Sequence, residues 1–264
     1  MTGSRARLDP FLPLLGALCV LALLLGTNAH LFVAPIHETA DIAADSLLII
    51  EAKRLALLHG HYSRFGFHHP GPAFLYVQAL AEWLFHDLLR LVPAPGNAHF
   101  LGALLLNTLF AGLALAGFAS LWPGHRRVAV AIALAVLLVY ATDFRRVMST
   151  IWMPHFVFTA FLAYLATLLA VAARRLAHLP ACALACGFLL QGYAIFGLVC
   201  VPAVLAVLWS VRRQLAAAEA RPALLAALAI ALAFAAPVAA DTLSPGGGQI
   251  GKYLAFLVSG EPSG

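Results

Sequence analysis

The sequence predicts an all-α, polytopic membrane protein of about seven transmembrane helices, with interfacial helices in a large first external loop. Three observations predict it. The 264 residues are 63% hydrophobic and only 10% charged, with a mean hydropathy of +0.93. Apolar runs of spanning length recur from end to end and leave little chain for a soluble domain. Arginine pairs punctuate those runs, and because Lys and Arg stay cytoplasmic they act as an orientation signal. The formal net charge of +5 is therefore loop charge that orients helices. No basic patch interleaved with aromatics occurs, so nucleic acid is excluded as a partner.

Taken in order, the first run extends from Phe11 to about Ala34, behind Arg5 and Arg7. Those arginines put the N-terminus in the cytoplasm and residues 36 onward outside. Thr27-Asn28-Ala29 offers an alternative, a signal-peptidase site that would remove residues 1–29. Apolar character resumes at Leu31-Phe32-Val33-Ala34, however, which favours an uncleaved first helix. The next spans are 98–121 inward, 128–142 outward, 151–173 inward, 180–211 out and back, and 221–240 outward. The out-and-back pair turns near Gln191-Gly192-Tyr193. This order keeps Arg126-Arg127, Arg174-Arg175, Arg212-Arg213 and Arg221 in the cytoplasm.

One segment resists that order. Residues 72–92, PAFLYVQALAEWLFHDLLRLV, read as a helix whose apolar face is interrupted by Gln78, Glu82, His86, Asp87 and Arg90. Counting it as a span would turn the arginine pairs outward, whereas an amphipathic helix at the outer interface breaks no rule. Residues 36–97 thus form one external loop with interfacial helices at about 41–58 and 72–92. The transmembrane module covers 1–240. The Gly- and Pro-rich tail 241–264 reads as the end of a minimal module or as a point within a longer chain. Cys19, Cys182, Cys186 and Cys200 all fall in apolar runs, where a thiol behaves as a small hydrophobe.

Ionisable side chains cost most beside a bilayer, so their clustering points to chemistry. Two external segments cluster them: HETADIAADSLLIIEAKRLALLHGHYSRFGFHHPGP, running from His37 to Pro72, and TDFRRVMSTIWMPH, from Thr142 to His155. Asp41 and Asp45 are four apart and share one helix face. They read either as acids favoured at a helix N-terminus or as a general base for an acceptor hydroxyl. Arg145 and Arg146 form the sole arginine pair outside, against the charge rule. Their forked guanidinium groups suit phosphate, while the plainer reading is a salt bridge to Asp143 or contact with lipid headgroups. Glu51 with Lys53 and Arg54 reads as a solvated helix face. His59, His61, His68 and His69 match no zinc spacing, so no metal ligands are assigned. His69-Pro70-Gly71-Pro72 reads as a rigid turn into the following helix.

An acidic residue soon after the first span, then Tyr62-Ser63-Arg64-Phe65-Gly66-Phe67-His68-His69-Pro70-Gly71-Pro72 and an EWLF helix, resembles the GT-C glycosyltransferases. Protein O-mannosyltransferases and aminoarabinose lipid A transferases share this layout. The resemblance covers the whole chain, is most specific in the HPGP block, and includes STIWMPH as a second external loop. It implies a seven-helix module that moves a sugar, with inversion, from a polyprenyl-phosphate donor to an envelope glycan, lipid or protein acceptor. It places the reaction on the outer face of a bacterial inner membrane. Carried over by position, Asp45 falls on the catalytic acid, with Asp41 second. Donor phosphate and substrate would meet Tyr62, Arg64, His68, His69, Asp143, Arg145, Arg146 and His155. A divalent metal stays open as a cofactor. Two positions depart from the pattern: Ser46 stands where a second acid is common, and His155 where the second loop often holds one. The alternatives are a transporter or flippase of lipid-linked or anionic solutes, and a truncated, non-catalytic module. The spans are nearly free of charge, with Asn107 and Gln191 the main polar exceptions, which disfavours transport.

Overall fold

Prolines begin helices throughout this chain, because a missing N–H costs nothing in a helix's first turn. The computed structural model describes residues 11–63, 65–143, 145–244 and 248–259, with the backbone alone described at Arg145 and Arg146. Pro13 lies in the first turn of α1 (Leu12–Thr27), Pro95 opens α4 (Pro95–Leu121), and Pro154 opens α7 (Met153–Ala172). Pro180 and Pro222 do the same for α8 (Leu179–Gly192) and α11 (Arg221–Thr242). The other helices are α2 (Ala40–Lys53), α3 (Ala73–Ala81), α5 (Arg126–Asp143), α6 (Arg145–Met148), α9 (Phe196–Ser210), α10 (Arg212–Leu215) and α12 (Gly248–Ser259). Among the described residues there is no strand beyond one isolated bridge between Tyr62 and His68.

Four helical stretches are long and apolar enough to cross a membrane: Pro95–Leu121, Pro123–Asp143, Met153–Ala172 and Ala218–Thr242. Three shorter apolar helices, Leu12–Thr27, Leu176–Gly192 and Phe196–Ser210, lie within the runs read as the other spans but fall below that length. The first run, read as Phe11 to about Ala34, is helical only to Thr27 before a 3-10 turn at Ala29–Phe32. Inside and outside divide clearly among the four. The apolar windows of α4 and α7 are 67% and 61% buried, those of α5 and α11 only 17% and 6%. α4 is the hub, packed on α1, α3, α5 and α7, and α7 leads through α8 to α11. The α4–α7 crossing is close because Gly117 sits against Ala166, where an added Cβ would meet backbone at 2.8 Å. Phe188 of α8 contacts Phe74, Phe110 and Phe234 at 5.0, 5.4 and 5.2 Å, tying α3, α4, α8 and α11 together.

The first-loop helices are shorter than the sequence suggests, for backbone reasons. α2 stops at Lys53 because Leu55 turns the chain with φ 57°; α3 runs on as a π-helical turn, Glu82–Leu88, and ends where Arg90 takes φ 51°. The polar face of α3 is also not solvated. Gln78 and Glu82 are buried towards the bundle, while Leu80, Trp83 and Leu88 face outward. Lys53 does not pair within its own helix; it reaches Glu82 and Asp87.

The connections sort into two ends. Residues beside Arg174, Arg212 and Arg221 come together where Val171, Leu176, Leu179, Val211, Leu215 and Ala223 pack, and Arg126 lies within electrostatic reach of His178. The opposite end holds the first loop. There Asn97 receives the Ile36 N–H at 2.9 Å and donates to Leu31 and Ala34 carbonyls at 2.9 and 2.7 Å, closing the chain between α1 and α4. Asn107 donates to the Met148 carbonyl at 2.8 Å, which fixes the loop before α7.

Candidate functional site

The end that holds the first loop contains a cleft of about 660 Å³ built by four segments. The first loop contributes Asp41, Asp45, His61, Tyr62 and His69; Trp152–Pro154, Tyr193–Ile195, and Tyr253 with Phe256 close the other sides. α2 presents both aspartates because they are one turn apart, and it is seated on α3 through Ile49, Ala52, Leu57, Leu75 and Ala79.

Residues 60–63 and 65–69 run back against each other as a tight hairpin. His69 N–H donates to the His61 carbonyl at 2.9 Å, Gly60 N–H to the His69 carbonyl at 2.8 Å, and Ser63 N–H to Phe67 at 3.1 Å. Gly66 takes φ 80° at the tip, a left-handed conformation open to glycine. The hairpin base is pinned by Gln191: Gly71 N–H donates to its carbonyl at 3.3 Å, Ala73 N–H to its Oε1 at 2.8 Å, and its Nε2 donates to Phe234 at 2.6 Å. Gly71 is required by this close approach, since a Cβ there would stand 2.4 Å from Gln191 Cδ. Gln191, polar inside an apolar run, is thus the anchor of the HPGP turn.

The hairpin delivers His61 to Asp45, with Nδ1 and Oδ2 2.7 Å apart. His61 is 3% exposed, and its Nε2 has no hydrogen-bond partner among the described residues. The same holds for Nδ1 of His69, whose ring meets Tyr193 edge-on at 4.3 Å. Burial, with His61 next, pushes the His69 imidazole down to about 4, so it is neutral at physiological pH. Burial and the carboxylates of Asp45 and Asp41 push the Tyr193 phenol above its usual range.

The remaining candidates separate. His68 turns away from the cleft towards α12: its N–H donates to Gln249 Oε1 at 2.7 Å, and its ring lies 4.2 Å from His59. Burial, then His59, lowers its imidazole to about 4. Tyr62 is half exposed at the cleft rim. Asp143 is exposed at the end of α5, and His155 rests edge-on against Trp152 at 4.9 Å; neither lines the cleft. Arg64 lies outside the described residues, as do the side chains of Arg145 and Arg146. Among the described residues no group of three or more His, Cys, Asp or Glu side chains is placed to hold a metal ion.

Beside the cleft, sharing Ala194 and Tyr253 with it, runs an apolar groove of about 1000 Å³ between α8, α9, α11 and α12. Leu190, Val204, Leu228, Ala231 and Phe234 line it. A second polar group lies under the first loop. His99 donates through Nδ1 to Glu38 at 2.7 Å and through Nε2 to Glu82 at 2.8 Å; Lys53 bridges Glu82 and Asp87 at 2.6 and 2.5 Å. Ser46 donates to Glu38. Burial is the first influence on Glu38 and Glu82, but hydrogen bonds from His99, then Ser46 or Lys53, outweigh it. Glu38 is lowered and Glu82 falls to about 2.

No protein-family model, no curated protein and no solved structure matches this chain.

Proposed function

We propose that this chain is a membrane glycosyltransferase of the GT-C kind, using a polyprenyl-phosphate-linked sugar at the extracytoplasmic face of a bacterial inner membrane. The observation that carries the reading is the junction of the carboxylate-bearing cleft with the long apolar groove. A substrate with a polar head and a hydrocarbon tail matches that pair of surfaces, because each part finds its own solvent substitute. Seven apolar helices would cross the membrane in this reading, α1, α4, α5, α7, α8, α9 and α11, with the N-terminus inside. The arginine-bearing connections would then be cytoplasmic and the cleft outside. Asp45 and Asp41 supply the negative charge that an acceptor hydroxyl needs to lose its proton.

The test uses the full chain in proteoliposomes, supplied with undecaprenyl-phosphate mannose, glucose or aminoarabinose, and measures release of undecaprenyl phosphate. Asp45→Asn is expected to lower turnover by about 10²–10⁴-fold, the usual contribution of a positioned base. Ala231→Trp, which fills the groove, is expected to impair the undecaprenyl donor while sparing a ten-carbon prenyl analogue. Solute uptake without sugar release, or equal loss on both donor lengths, would sink the reading.

A further inference from the structure

We propose that the proton acceptor of this site is Nε2 of His61, and that Asp45 acts through it as a positioning residue. The inference deepens the sugar-transfer reading and rests on it. A carboxylate only accepts, so the hydrogen in the 2.7 Å contact between Asp45 and His61 sits on Nδ1. A neutral ring so held carries a bare lone pair on Nε2. That atom is buried, has no partner among the described residues, and belongs to a ring lining the cleft. A buried acceptor is costly to leave unpaired, so its natural complement is a donor brought by a ligand. Nδ1 of His69, also buried and unpartnered, lines the same cleft. With the His61 lone pair at the cleft, the site is suited to a ligand that donates, as a sugar or other polyol hydroxyl does, and the His69 nitrogen adds a second polar contact whose direction follows its tautomer.

The step balances as a single displacement. The acceptor O–H proton passes to Nε2 while the oxygen's electron pair bonds the anomeric carbon. The bond from that carbon to the phosphate oxygen breaks, and its electron pair departs with polyprenyl phosphate. The imidazolium formed keeps its Nδ1–H on Asp45, whose charge stabilises it, and then returns the Nε2 proton to water.

The experiment compares wild type, His61→Gln, His61→Ala and Asp45→Asn in proteoliposomes, with the same donors and with water and octyl hexosides as acceptors. His61→Gln is expected to lower kcat by about 10²–10⁴-fold with KM within about threefold. Imidazole in the buffer should restore part of the His61→Ala activity, whereas acetate should not. If His61→Gln keeps activity within about threefold while Asp45→Asn loses it, the proposal is overturned and sugar transfer stands, with Asp45 as the direct base. In parallel, ¹⁵N-histidine spectra report the His61 tautomer without any turnover. A proton on Nδ1 and none on Nε2 is expected, and loss of that preference in Asp45→Asn. Consumption of no donor by wild type defeats the sugar-transfer reading; a proton resident on Nε2 defeats the assignment of His61 separately.

Discussion

Two histidines in this molecule meet a carboxylate at the same 2.7 Å, and they differ in what the other ring nitrogen does. His99 has both nitrogens bound, one to Glu38 and one to Glu82, and it is 1% exposed. His61 has one nitrogen on Asp45 and the other on nothing among the described residues. The His99 network is closed: each charge is met by another, and it joins α2, α3, α4 and the residues before α2. The His61 pair is open, at a cleft. Satisfied buried polar groups hold a fold together, while an unsatisfied one at a cleft awaits a ligand.

The largest expected effect tests that contrast directly. His99→Ala leaves Glu38 and Glu82 buried with opposing charge removed, and should cost about 3–5 kcal/mol. His61→Gln, at a cleft where Asp45 keeps 15% exposure and water can replace the partner, should cost about 1 kcal/mol. Equilibrium unfolding in detergent micelles reads both. Equal losses would erase the distinction between a closed and an open pair.

Acid should strike the same network. Glu82 falls from its usual 4.5 to about 2 in the folded protein, and Glu38 shifts in the same direction. A depressed carboxylate stabilises the fold fully above its unfolded value and loses that contribution as pH drops towards its folded value. Stability should therefore decline between about pH 4.5 and about 2 in wild type. The decline should be shallower in Glu82→Gln, measured as the unfolding midpoint against pH. Parallel curves for the two proteins would show that Glu82 is not part of the linkage.

Much of this was legible in the sequence, but unevenly. Arginine pairs and apolar runs located the helices. Asp45 stood out as an acid in a greasy chain. His61 did not, because in HGHYSRFGFHH every histidine looks alike until the hairpin register points one ring at Asp45 and turns its neighbour His68 away. Glu82 was seen only as an interruption of an apolar face, with no sign of where its carboxylate goes. On an amphipathic helix a carboxylate signals solvent, and only the approach of His99, 17 residues away, makes an inward glutamate tolerable. Gln191 read as the turn of the out-and-back pair and a polar exception in an apolar run, and its role depends on a turn 118 residues distant. Long-range polar pairing leaves no periodic trace.

Gly71→Ala gives a smaller effect, confined to the hairpin that aims His61. The new Cβ would fall 2.4 Å from Gln191 Cδ, so Gln191 must shift and its bond to Ala73 N–H is lost. A cost of about 1–3 kcal/mol is expected from crowding and the unmade bond. Gln191→Ser should relieve the crowding in the double variant, giving a cost below the sum of the two single changes. Strict additivity, by the same unfolding measurement, would mean that the turn and the helix are not coupled.

The smallest effect lies at the rim of the closed network, where exposure rather than distance decides. Lys53 Nζ is as near to Asp87, at 2.5 Å, as to Glu82, at 2.6 Å. The Asp87 side chain is 38% exposed and that of Glu82 only 11%, so water already screens the first pair. Asp87→Asn should change stability by no more than about 0.5 kcal/mol, whereas Glu82→Gln should cost several times that, because His99 and Lys53 each lose the more buried of their carboxylate partners and keep only Glu38 and Asp87. Raising salt should shrink the Asp87 effect further and leave the Glu82 effect almost unchanged, since a buried pair is poorly screened. A loss at Asp87 comparable to that at Glu82 would place the boundary of the network one residue further out, with Lys53 held as a buried cation between two equal partners.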